Sequence, residues 1–191
     1  AENGILCFSY DGEIYTLKEG GIPEKVSIRI ITDQIERESE IRNMTSGASH
    51  MAISPNGKEI AIVIRGDVFV TSADYKTTQR ITNTPEQERS LCFSKDGRTL
   101  YYAAERNGHW GIWETSLTDK DDKYFTYSVK MEEKPVTKAG ETCFQPQVSP
   151  DGEWIAYLKD RTGIVIKNLK NGNEKVLLDK SINYSYSDGD Q

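Results

Sequence analysis

The chain alternates between short apolar runs and polar punctuation, and the runs are strand-sized. EIAIVI at 59–64, TLYYAA at 99–104 and EWIAYL at 153–158 are continuous apolar stretches, the pattern of strands buried on both faces. Each follows the same phrase: AISPNG at 52–57, CFSKDG at 92–97 and QVSPDG at 147–152. Each leads through a glycine-containing turn to a third run: DVFVT at 67–71, GIWET at 111–115 and GIVIK at 163–167. A more polar fourth run closes each unit: TQRIT at 78–82, KPVTK at 134–138 and EKVLL at 174–178.

The spacing of the phrase sets the architecture. Its serines, Ser54, Ser94 and Ser149, lie 40 and then 55 residues apart, and the excess in the middle unit is one insertion at 118–131. Four strands per unit with a period of about 40–45 residues predicts the antiparallel blades of a β-propeller. The phrase itself has turn composition: proline presets φ, Asp or Asn bonds the local backbone, and glycine accepts positive φ. It is expected to turn the chain from the innermost strand into the buried second strand. The fold class is therefore all-β, a propeller segment of about three to four four-stranded antiparallel blades and a fragment of a larger propeller.

The ends carry partial units. GILCFS at 4–9 and EIYTL at 13–17 read as second and third strands joined by YDG, and a turn at Gly20 and Gly21 leads to KVSIRII at 25–31. The first unit thus lacks its innermost strand, and NYSYSDG at 183–189 reads as the start of another. Both ends are expected to be cuts through a longer protein. The units run from about 1–45, 46–86, 87–140 and 141–180, with 181–191 opening a further one. The charged stretch 32–42 is read as a solvated connection into a rim strand at 40–45.

Several blocks are more specific than the turn phrase. They are GEIY at 12–15, SPNGK at 54–58, RGDVFVT at 65–71, RITNTP at 80–85, ERS at 88–90, FSKDG at 93–97, SPDG at 149–152 and YSYSDGDQ at 184–191. With these the chain resembles, over nearly its whole length, the N-terminal propellers of the tricorn-like serine peptidases, whose repeats are related to the propeller of the Tol-system periplasmic protein. The resemblance implies a non-catalytic module that guides or binds peptide or unfolded protein for a separate protease module. No part of that protease module is present, so no catalytic residue carries over. The alternative is a Tol-type protein-binding scaffold without an enzymatic role. Periplasm, cell envelope and cytoplasm of a bacterium all fit.

Charge narrows the partners. The formal net charge of -6 offers no basic field for a phosphate backbone, so nucleic acid is not expected. No stretch approaches the ~20 apolar residues of a membrane helix. Cys7, Cys92 and Cys143 are odd in number, scattered, and each beside a phenylalanine, which reads as small hydrophobes in strands rather than a disulfide framework.

Catalytic and metal chemistry find little footing. GASHM at 47–51 has Gly-x-Ser but Met51 where a nucleophile elbow needs a second glycine, and it reads as a loop entering a blade. His50 and His109 have no metal-ligand spacing. Asp96 and Asp151 belong to the turn phrase, and Glu36, Glu38 and Glu40 to the charged connector. No cofactor is expected. The candidate contact residues are Trp110, beside a turn tip, and His109, read as a hairpin-turn residue.

Overall fold

The computed structural model describes residues 4–10, 13–28, 42–179 and 181. Among the described residues the protein is all-β apart from one turn of 3-10 helix at Phe125–Tyr127. Its chain divides into two units, Ala1–Asn43 and Met44–Gln191. The first holds an antiparallel meander of β1 (Ile5–Tyr10), β2 (Glu13–Lys18) and β3 (Glu24–Lys25).

The second unit holds three four-stranded antiparallel meanders among the described residues. Blade I is β4 (Ala48–Ile53), β5 (Glu59–Ile64), β6 (Asp67–Ser72) and β7 (Thr78–Arg80). Blade II is β8 (Glu88–Phe93), β9 (Thr99–Arg106), β10 (His109–Leu117) and β11 (Met131–Pro135). Blade III is β12 (Cys143–Val148), β13 (Trp154–Lys159), β14 (Gly163–Asn168) and β15 (Glu174–Leu178). This is the propeller-segment architecture that the repeat predicts.

The recurring phrase makes the same hydrogen-bonded turn three times. The serine hydroxyl accepts the N–H five residues on, from Glu59, Thr99 and Trp154, each at 2.9 Å. It donates to the side chain two residues on, Asn56, Asp96 or Asp151. That side chain in turn accepts the N–H of Lys58, Arg98 or Glu153. Gly57, Gly97 and Gly152 sit at φ of 68°, 72° and 79°, the left-handed region where a Cβ is costly. The turn satisfies its own backbone, which is why it recurs with so little variation.

The strands after these turns form the core. Ala61, Val63, Val68 and Val70 of blade I pack against Leu91, Phe93, Leu100 and Tyr102 of blade II. Across the other face of blade II, Tyr101, Ala103 and Ile112 meet Cys143, Phe144, Ile155 and Tyr157 of blade III. The continuous apolar run of β9 is thereby explained: it faces a neighbouring blade on each side and is buried on both faces, whereas β5 and β13 are buried on one face and half-buried on the other.

Several expected bounds shift. The outer strand of blade II is Met131–Pro135, not 134–138, and that of blade I ends at Arg80, not 82. In both, a threonine hydroxyl replaces the backbone as ladder acceptor: Thr82 takes the Val68 N–H at 2.9 Å and Thr137 the Ile112 N–H at 3.0 Å. The segment expected as a loop at 47–51 lies largely in β4, paired with β5 from Ala48 onward. Residues 42–45 form no strand. Of the run at 25–31 only Lys25 lies in a strand among the described residues; residues 29–31, the rest of the charged connector and the segment 183–189 lie outside them.

The insertion in blade II is docked. Phe125 is fully buried and meets Phe93 edge-on, with ring centroids 6.1 Å apart. The Thr126 N–H and hydroxyl both donate to Oε1 of buried Glu59, at 2.8 and 2.9 Å. Gln79 donates to the Ser128 carbonyl at 2.7 Å. The insertion of blade II thereby seals against blade I.

Candidate functional site

The β9–β10 hairpin turns on Asn107 and Gly108, with φ of 54° and 76°. Two successive left-handed residues make the tight turn that matches strand twist, and Asn-Gly is its favoured sequence. His109 is therefore the first residue of β10, paired with Arg106, and not a turn residue. It is exposed, while Trp110 is half-buried.

Strand alternation splits the two tryptophans of β10. Trp110 packs on the blade II–blade III cluster and Trp113 on the blade I–blade II cluster. Gly111 lies between them. A Cβ there would stand 3.1 Å from Thr137 Oγ1 and 3.6 Å from Trp113 Nε1. A cavity of about 270 Å³ opens here, lined by Arg106, Trp110, Gly111, Trp113, Thr137 and Glu141 among others, with His109 at its wall. The two candidate contact residues, His109 and Trp110, thus share one cavity.

A buried polar network supports this end of the blade. The Glu88 side chain is fully buried and accepts from Arg106 at 2.7 Å, from the Thr82 hydroxyl at 2.7 Å and from the Thr84 hydroxyl at 3.1 Å. Arg106 also reaches Glu133 at 2.8 Å, and the Tyr102 hydroxyl donates to the same Glu133 oxygen at 2.7 Å. Burial and the Glu133 carboxylate push the Tyr102 phenol far above its ordinary value. Beside the cavity, Glu141 Oε1 accepts from Lys159 at 2.7 Å, whereas its buried Oε2 has no hydrogen-bond partner.

On the blade III side of Trp110 runs a seam of aromatic and cationic groups. The Arg89 guanidinium carbon lies 4.0 Å from the Trp110 ring centroid and 5.9 Å from that of Phe144. The two rings are 5.6 Å apart, tilted by 38°. Arg161 lies over Phe144 from blade III at 5.7 Å. Arg89 and Phe144 each precede a register break in their inner strands, and the residues that follow them, Ser90 and Gln145, have φ of 58° and 52°. These bulges occupy equivalent repeat positions and re-aim the chain at the same point in both blades.

Arg89, Phe144, Arg161 and Glu141 do not stand out in the sequence as contact residues. One signal could have found two of them: Arg89 and Phe144 stand at the same offset before Ser94 and Ser149.

Two of the three cysteines are poor nucleophiles. Burial pushes the Cys143 thiol up to about 12 and raises Cys92 as well, so neither is a ready thiolate at neutral pH. Burial, then the nearby Arg89 charge, lowers His50, which sits in the β4–β5 ladder opposite Val63. Among the described residues no three His, Cys, Asp or Glu are grouped to hold a metal ion. Among them, too, no helix is long and apolar enough to cross a membrane.

Comparison with known proteins bears on the fold. The family described as TolB beta propeller domain matches residues 8–187. A protein assigned as TolB from Agrobacterium tumefaciens superposes with a TM-score of 0.53 at 20% identity, over 93% of this chain and 59% of that one. TolB from Acinetobacter baumannii gives 0.52 at 16% identity, over 92% and 41%. At such identities the likeness concerns the fold alone, and this chain spans less than two thirds of either. No curated protein matches the sequence.

Proposed function

The chain belongs to the TolB beta propeller domain family, and on that premise we propose that it is a non-catalytic scaffold that binds polypeptide. The observation that carries the reading is the end of blade II. There a cavity walled by Trp110 and Trp113 opens beside exposed His109, on strands held rigid by the Glu88–Arg106 network. Aromatic anchors next to a concavity are a common device of protein recognition. The outermost described strand of blade III, β15, adds exposed Val176 and Leu177, a surface suited to an extended segment.

The finer reading is that this scaffold serves a tricorn-like serine peptidase, guiding peptide or unfolded protein to a protease module encoded outside the chain. Its support is the block RGDVFVT at 65–71 with RITNTP at 80–85. The alternative, a Tol-type scaffold with no enzymatic role, is favoured by the TolB-like fold itself.

Two measurements test this. Titration with an unfolded, casein-like protein should give saturable binding that weakens in Trp110→Ala; no binding overturns the scaffold reading. Peptidase assays then separate the contexts. Cleavage by the complete gene product, but not by this chain, supports the accessory role. Cleavage by neither favours the Tol-type scaffold, and cleavage by this chain alone overturns the non-catalytic reading.

A further inference from the structure

The repeat sets Asp67, Gly111 and Gly163 at equivalent places in the third strands of the three blades. In blade I the position carries a side chain, and Asp67 takes the Arg80 guanidinium at 2.7 Å. In blade III Gly163 lines a cavity of about 180 Å³, and the residue two along is Val165. In blade II the residue two along from Gly111 is Trp113, and the cavity is the larger one of about 270 Å³.

The wall of the blade II cavity has a particular chemistry. Pro135 stands directly opposite Trp113 in the β10–β11 ladder and is exposed. A Cβ on Gly111 would lie 3.6 Å from Trp113 Nε1, so the indole N–H edge borders the space above the glycine. Among the described residues that N–H donates to no protein acceptor. The Arg106 guanidinium carbon lies 5.2 Å from the Trp113 ring centroid and holds the indole in place. Charges at the wall are matched within the protein: Arg106 takes Glu88 and Glu133, and Glu141 takes Lys159 and buries its second oxygen. Lys138, which also lines the cavity, is exposed to water. With its ions already paired, this wall favours an uncharged occupant.

The place of the cavity in the blade selects the occupant's backbone. β9 and β10 are interior strands of blade II, so neither offers a free ladder edge. β11 is an edge strand, but at the cavity it carries Pro135, which has no N–H to offer. A segment bound here therefore keeps its backbone out of strand pairing. Polyproline II is the extended conformation that does so, with carbonyls free to accept. Proline presets that conformation, so little ordering entropy is lost when aromatic-lined grooves bind it.

We propose that this cavity is a proline subsite: it seats a proline of an uncharged polyproline II segment against Trp113 and Pro135, and the Trp113 indole N–H donates to a carbonyl of the bound chain. The inference rests on the scaffold reading and names the class of segment bound.

The test uses N-terminally biotinylated, C-terminally amidated nonapeptide pools, random in uncharged residues, on a biosensor surface. One pool carries two fixed prolines, a second has alanine in their place, and a third has leucine there. Casein-like unfolded protein serves as the general binding control. The proline pool is expected to bind about tenfold tighter than the alanine pool, the worth of one hydrogen bond with its packing, and tighter than the leucine pool. Trp113→Phe keeps a ring and removes the N–H, and Gly111→Ala places a Cβ in the cavity. Each should bring the proline pool close to the alanine pool. Far-UV circular dichroism confirms that each variant is folded, and the comparison of pools on the unmodified protein stands without them. Leucine binding as tightly as proline overturns the subsite and makes the cavity a general apolar one. A proline preference that persists in both folded variants overturns it too. Equal binding of all three pools, or binding of the casein-like protein alone, overturns the proline subsite and leaves the scaffold reading standing. No binding of any pool or of the casein-like protein overturns both.

Discussion

The Glu88 carboxylate, fully buried where blade I hands over to blade II, is held 2.7 Å from the Arg106 guanidinium. Two threonine hydroxyls, from Thr82 and Thr84, complete its hydrogen bonding. A buried ion pair contributes little over an apolar pair of the same shape, but removing one partner strands the other charge. Glu88→Ala is expected to destabilise the protein by about 3–5 kcal/mol. Arg106→Ala should cost a similar amount, and the double variant less than the two together. Urea denaturation of the four proteins reads out the coupling directly; additive effects would show that the pair is not coupled.

The docked insertion makes a second prediction. Because Phe125 is fully buried against Phe93, Phe125→Ala should cost about 3–5 kcal/mol, the range of a large core truncation. Thr126→Val keeps the N–H bond to Glu59 and loses only the hydroxyl bond, so about 1 kcal/mol is expected. A free loop would tolerate both changes, and denaturation midpoints distinguish the two cases.

The repeated turn predicts a pH dependence. For Asp151, the Ser149 hydroxyl and then the Glu153 N–H hold the carboxyl below its ordinary value of 3.8. For Asp96, burial pulls upward but is outweighed by the Ser94 hydroxyl and the Arg98 N–H. A carboxyl lowered by folding adds stability that is fully present above its unfolded value and is lost as pH falls through the folded one. The wild type should therefore lose more stability below about pH 4 than the Asp96→Asn/Asp151→Asn variant. Asparagine already serves this position at Asn56, so the variant retains the turn. Parallel acid-denaturation curves would count against the assignment.

Two glycines of the same turn should respond differently. Gly57 and Gly152 are both left-handed, so alanine at either costs roughly 1–2 kcal/mol of backbone strain. At Gly57 nothing lies within 4 Å of an added Cβ, whereas at Gly152 it would meet the Lys95 Cβ at 3.0 Å. Gly152→Ala should be the more destabilising, and thermal unfolding of the two variants decides it.

The sequence by itself determined the blades. Every bond of the Ser-x-Asp/Asn-Gly turn closes within five residues, so contiguous sequence encodes it completely, and three copies give the repeat and the four-strand unit. The apolar run at β9 follows because a strand between two blades must be hydrophobic on both faces, and the matching runs at β5 and β13 mark the same second-strand position of their own blades. His109 and Trp110 were visible as candidate contacts because an Asn-Gly turn announces a hairpin tip.

Only the tertiary structure decided what surrounds them. Arg89, Trp110, Phe144 and Arg161 come from both inner strands and from two hairpins, in two blades, and local propensity carries no information about such distant partners. The outer-strand bounds differ from expectation for a related reason. Whether Thr82 and Thr137 continue the ladder or replace it with their hydroxyls depends on the register of a neighbouring strand, which only chain packing fixes. The insertion reads as a plain excursion in the sequence because its anchors, Glu59 and Phe93, lie on other strands, one of them in another blade.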